Sequence, residues 1–164
     1  GSSEGASAPL QGAVPADGSI YCPGEARGTR VIVVDVNVVA YFFIEGDKTA
    51  SARKLAGRDP DWRLPVLWRH EFLNVLATFV REGGATATEG RTLWQRSVEL
   101  LGAGEQGVDM EAALVIAVEN RISAYDAQYV ALARQLQTIC VTEDRRLLRT
   151  FPTLTRAMSA FATA

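Results

Sequence analysis

Histidine is nearly absent from this chain, and cysteine is scarcely more common. One histidine, His70, and two cysteines, Cys22 and Cys140, occur among 164 residues. A lone histidine largely rules out histidine-based metal sites and Ser-His-Asp chemistry at several positions. Two cysteines supply neither a zinc spacing nor a disulfide framework. Cys140 lies in the apolar run QTICV, where a reduced core thiol is expected; Cys22 falls in a Gly/Pro-rich stretch, and a pairing between the two stays open. No apolar run is long enough to span a bilayer, and no basic n-region precedes a signal-like core, so a cytoplasmic protein is the default expectation. Neither sign of charge dominates. Seventeen Lys and Arg against 19 Asp and Glu leave a net charge of -2. No general basic field surrounds the molecule, so any nucleic acid must be met by a local basic patch or through bound cations.

What is present fits an ordinary globular domain: 48% hydrophobic and 22% charged residues, in a chain long enough to bury a sizeable core. Residues 1–29 are rich in Gly, Ala, Pro and Ser without a sustained period. They read as a leader set apart from the fold, the opening Gly-Ser-Ser as an expression remnant, and residues 30–164 as the folded domain. VIVV, residues 31–34, predicts a strand buried on both faces. VNVVAYFFI predicts a helix ending near Gly46, and DKTASARKLAG a second one stopped at Gly57. WRLPV reads as a strand weakened by Pro65.

The strongest helical periodicity runs through LWRHEFLNVLATFVREGG. Further helices follow in TEGRTLWQRSVELLG, MEAALVIAVENR and SAYDAQYVALARQLQ. TICVT, residues 138–142, predicts another strand, DRRLLRTF a short helix, and the segment from Thr155 an edge strand. Strands alternating with helices imply an α/β fold, with a central parallel sheet flanked by helices in three layers.

Four acids draw notice. Asp35 follows the first strand and Asp144 follows TICVT, which places both at the carboxyl edge of a parallel sheet, where ligands bind. Asp126 falls in the first turn of the helix beginning near Ser123, and Glu71 lies in the strongest helix among Trp68, Phe72 and Val75. Each has a plainer explanation. Asp35 and Asp144 suit helix N-caps, Ser123 and Asp126 match a capping box, and Asn37 can bond the backbone at a helix start. Glu71 needs a partner, because a carboxylate beside an aromatic stripe is costly alone; Arg69 and Arg81 are the nearby cations, neither at ideal helical spacing.

Taken together, VVDVNVV, RHEFLNVL, SAYDAQYVALA and VTEDRRLL resemble the PIN domain, the ribonuclease fold of VapC-type toxins in bacterial toxin-antitoxin pairs. The resemblance spans roughly Val31 to Phe151. Its main departure is the leader, since such proteins usually begin almost at the first strand. It implies that Asp35, Glu71, Asp126 and Asp144 form a catalytic, metal-binding cluster supported by Asn37 and Thr142. It also implies an RNA substrate, often tRNA or rRNA, a cognate antitoxin and a homodimer, with helices 36–44 and 48–56 as candidate docking surfaces.

The physics of such a cluster agrees with a cation. Two unit charges about 5 Å apart repel by roughly 3 kcal/mol at an effective dielectric near 20. An all-oxygen donor set favours Mg2+ or Mn2+ over zinc. Arg145, Arg146 and Arg149 form a local basic stripe suited to phosphate contacts, or else a solvated helix face. Trp68 and Trp94 are aromatics that stack bases in some proteins but more often belong to a core.

Two other readings compete. A receiver-like signalling domain also gathers acids around Mg2+, but it needs a lysine near a late strand, and Lys48 and Lys54 both come early. A PIN-fold module that binds RNA or protein without cutting is the more serious alternative.

Overall fold

The computed structural model describes residues 30–161, so the leader expectation for residues 1–29 and the last three residues lie outside it. Five parallel strands form one sheet in the order β3-β2-β1-β4-β5: β1 (Val31–Val34), β2 (Asp61–Pro65), β3 (Glu105–Gln106), β4 (Cys140–Val141) and β5 (Thr155–Arg156). Seven helices connect and cover them: α1 (Val36–Phe43), α2 (Thr49–Arg58), α3 (Trp68–Arg81), α4 (Ala87–Leu101), α5 (Met110–Asn120), α6 (Ala124–Gln135) and α7 (Arg145–Thr150).

The three layers follow from the alternation of β1. Side chains of a strand point to opposite faces in turn. Ile32 and Val34 accordingly pack with Val38, Phe42, Leu55, Phe72 and Leu76 on the side of α1 to α4, whereas Val33 packs with Tyr129, Leu132 and Ala133 of α6. Ile32, Val33 and Val34 are fully buried, which is why the run reads as continuously apolar rather than alternating. A third cluster, including Ile116, Val130, Leu147 and Phe151, seals α5, α6 and α7 together.

Local chemistry sets the element ends. α2 runs past Gly57 to Arg58, because the true breaker is Pro60, which keeps Asp59 out of the helical region (φ -126°, ψ 80°). α1 stops at Phe43, where Ile44 turns extended. Pro65 closes β2 at its last residue, a position from which a proline removes little pairing. β3 is a finding beyond the sequence reading. It is two residues of polar edge, held against β2 where a Cβ on Gly104 would lie 2.2 Å from the Trp62 carbonyl oxygen. The expected edge strand after Thr155 is present as β5 beside β4.

Cys140 is a buried free thiol. No helix among the described residues is long and apolar enough to cross a membrane. The most exposed large apolar side chains are Val66, Leu73, Met110, Leu114, Val115, Val118 and Tyr125. Four of them lie on α5 and none on α1 or α2.

Candidate metal centre

The register of the sheet builds the centre of the site. Val34 pairs with Val141, so the next residues on the two strands, Asp35 and Thr142, meet side by side at the carboxyl edge. The Asp35 backbone N–H donates to the Val141 carbonyl at 3.0 Å. Its side chain then serves twice. Oδ1 accepts from the Val36 N–H at 2.7 Å and caps α1, while Oδ2 accepts from the Thr142 hydroxyl at 2.6 Å and from Asn37 Nδ2 at 3.2 Å. Asn37 Oδ1 accepts the Glu143 N–H at 3.3 Å, and Thr142 Oγ1 accepts the Asp144 N–H at 3.0 Å. Capping and cluster formation therefore coexist in one carboxylate. Asp144 likewise caps α7, its Oδ1 accepting from the Arg146 and Leu147 N–H groups at 2.7 and 3.0 Å.

Glu71 and Asp126 approach from the two helical layers. Glu71 sits in the first turn of α3, where the helix dipole favours negative charge. Neither Arg69 nor Arg81 is its partner: Arg69 binds Glu105, and Arg81 donates to the Thr78 hydroxyl. The Tyr129 hydroxyl takes that role, donating to Glu71 Oε2 at 2.6 Å. Ser123 caps α6 by accepting the Asp126 N–H at 3.0 Å.

The acids sense one another. Burial pushes the Asp35 carboxyl up from 3.8 to about 7; the Thr142 hydrogen bond opposes this, and the charges of Glu71 and Asp126 add to it. Glu71 is raised by burial and then by Asp126, with the Tyr129 hydrogen bond pulling the other way. Asp126 is raised by burial, eased by the Ser123 hydroxyl, raised again by Asp144, and eased by Arg146. Each of the four acids thus lies within electrostatic reach of at least one other. Desolvated carboxylates that raise each other's pKa mark a functional centre more often than a structural one.

The donor chemistry, oxygen only and in excess negative charge, fits a hard divalent cation. As the side chains stand, no group of three His, Cys, Asp or Glu among the described residues is arranged to hold a metal ion.

Of the three arginines, Arg146 is the one whose charge is felt at the acids. Its guanidinium acts on Asp126 and donates to the Arg121 carbonyl; Arg145, Arg146 and Arg149 are all exposed along α7. Trp68 belongs to the core: it is fully buried, its indole N–H donates to Glu105 at 2.8 Å, and it stacks on Trp94 at 6.2 Å between centroids. Tyr129 is a site residue absent from the candidates drawn from the sequence. Its spacing three residues after Asp126 was the available signal, since i and i+3 share a helix face.

With this geometry in place, the comparison with known proteins is direct. The chain belongs to the PIN domain family, whose model matches residues 32–151. It is similar to "Ribonuclease VapC3" of Pyrobaculum aerophilum, with 25% identity over 126 residues that cover 75% of this chain and 96% of that protein. The crystal structure of PAE2754 from the same organism shares the fold, with a TM-score of 0.64 at 19% identity, over 82% of this chain and 100% of that one.

Proposed function

We propose that this protein is a divalent-metal-dependent endoribonuclease, the toxin of a toxin-antitoxin pair. The observation that carries this reading is the buried network around Asp35, held by Thr142 and Asn37 and within electrostatic reach of Glu71 and Asp126, in a PIN-family chain similar to a VapC ribonuclease. Asp35, Glu71 and Asp126 would hold a principal Mg2+ or Mn2+, with Asp144 serving a second ion or orienting the attacking water. Such an ion, when bound, neutralises phosphoryl oxygens and acidifies water. The chain does the rest. Thr142 and Asn37 fix the Asp35 carboxylate, and Tyr129 engages Glu71. Arg146, with Arg145 and Arg149 beside it, offers cationic contacts to the RNA backbone. No protein nucleophile takes part.

The family likeness extends the proposal to a cytoplasmic enzyme with tRNA or rRNA as substrate, a cognate antitoxin and a homodimeric state. Incubating the purified protein with total cellular RNA in Mg2+ or Mn2+ tests the core of it. Cleavage should appear with the ion, vanish in EDTA, return with Mn2+, and be absent in a folded Asp35→Asn variant. RNA binding without cutting under all these conditions would instead establish the non-catalytic PIN module.

A further inference from the structure

Tyr129 is the one fully buried tyrosine among the described residues, and it sits at the junction of the two halves of the acidic cluster. It lies one turn beyond Asp126 on α6, and its ring packs against Val33, Leu132 and Cys140. Its hydroxyl reaches across to α3, 58 positions away in sequence, and ends on Glu71 Oε2 at 2.6 Å. A hydrogen bond this short to a carboxylate belongs to the strong class. Glu71 Oε1 carries no hydrogen bond from any described residue. We infer that Tyr129 is a positioning residue: its hydroxyl ties down one oxygen of Glu71 and leaves the other as a single, preoriented ligand for the cation of the acidic cluster.

The geometry gives this role physical content. A glutamate has three side-chain torsions, and a half-buried one on a helix face samples several arrangements unless something holds it. The Tyr129 ring is locked by packing, so its hydroxyl offers a fixed donor. An oxygen already accepting from Tyr129 is a poorer metal ligand, which favours one-oxygen over two-oxygen ligation by Glu71. Partners that orient metal ligands in this way typically change metal affinity by about tenfold to a hundredfold when removed.

The inference rests on the metal-dependent reading proposed above, and the experiment separates the two. Mn2+ binding is measured by electron paramagnetic resonance for the wild type, Tyr129→Phe, Glu71→Gln and the double variant, with RNA absent. Phe retains the buried ring and removes only the hydroxyl. Tyr129→Phe should weaken Mn2+ binding by about tenfold or more. In the Glu71→Gln background the same change should have almost no effect, because the hydroxyl acts through Glu71. Equal losses in both backgrounds would reveal a merely structural role and overturn the inference, as would unchanged affinity in the single variant. A wild type that binds no Mn2+ would remove the metal reading itself and this inference with it. Should Tyr129→Phe fail to fold, the wild type still decides the matter. Saturating Mg2+ should perturb the ultraviolet absorption of a buried tyrosine, as the ion draws charge from Glu71, and a flat difference spectrum would refute the coupling.

Discussion

Replacing Asp35 by Asn should stabilise the metal-free protein above neutral pH, even though it breaks a buried hydrogen bond. The Asp35 carboxyl has an ordinary value of 3.8 and is raised to about 7 in the fold. The folded state therefore holds this proton more tightly than the unfolded chain does. Its contribution to stability is complete below pH 3.8 and is lost as the pH rises through about 7. Raising the carboxyl from 3.8 to about 7 amounts to roughly 4 kcal/mol. Asp35 is only 5% exposed, so solvent screening removes little of that figure.

Asn abolishes the titration but offers one acceptor oxygen where Asp35 uses two, toward Val36 and Thr142; the lost bond costs about 1–2 kcal/mol. The charge term wins above neutrality, and the variant should be more stable there by roughly 2–3 kcal/mol. Below pH 3.8 the order reverses. Urea unfolding of both proteins in EDTA across this range should show their difference changing by about 4 kcal/mol. Parallel stability profiles would refute the argument, since they would mean that Asp35 carries no unfavourable charge in the fold. Excess Mg2+ should raise the stability of the wild type near neutral pH and leave the variant nearly unmoved.

Other perturbations probe neighbouring parts of the molecule. Thr142→Val removes the hydroxyl that lowers the Asp35 pKa, so the carboxyl should titrate still higher; carbon NMR of Asp35 reads this, and an unshifted titration would contradict the network. The same variant should lose about 1–3 kcal/mol in urea unfolding. Arg146→Gln should weaken RNA binding and reduce the slope of affinity against salt by about one counterion, with an unchanged slope counting against a phosphate contact. Gly104→Ala forces a Cβ to within 2.2 Å of the Trp62 carbonyl oxygen and should destabilise by about 1–3 kcal/mol, visible as a lower urea midpoint.

The parts of the fold that were legible in the sequence are those where local pattern and tertiary environment agree. VIVV is β-branched throughout, and its three central-sheet residues Ile32, Val33 and Val34 are fully buried. The helix through Glu71 and Leu76 carries its apolar stripe as spaced. β3 was illegible because Glu105 and Gln106 are polar and owe their pairing to the close approach of Gly104 to β2, a constraint with no local period. The acids were readable one at a time, each at the start of an element. Their pairing was not. Glu71 turns from its neighbouring arginines to Tyr129 on another helix, and Arg69 turns to Glu105, because the sheet order rather than helical spacing decides which side chains meet.

That sheet order also explains where the instability is kept. β1 is flanked by β2 and β4, so Ile32, Val33 and Val34 are covered from every direction and contribute stability, each fully buried Val or Ile about 1.5–3 kcal/mol. One position later the same burial encloses a carboxylate, and it becomes the main reason that Asp35 resists ionisation. A strand that ended one residue earlier would leave the acid in water, harmless and too well solvated to need a counterion. Extending the apolar run by one residue would remove the charge altogether. The fold tolerates the roughly 4 kcal/mol burden at Asp35 because it falls at the rim of a core whose favourable terms are larger. It follows that neutralising Glu71 or Asp126 relieves Asp35. Glu71→Gln should lower the pKa of Asp35, because the Glu71 charge raises it, and an Asp35 titration indifferent to that substitution would show that the acids are neighbours in sequence pattern only.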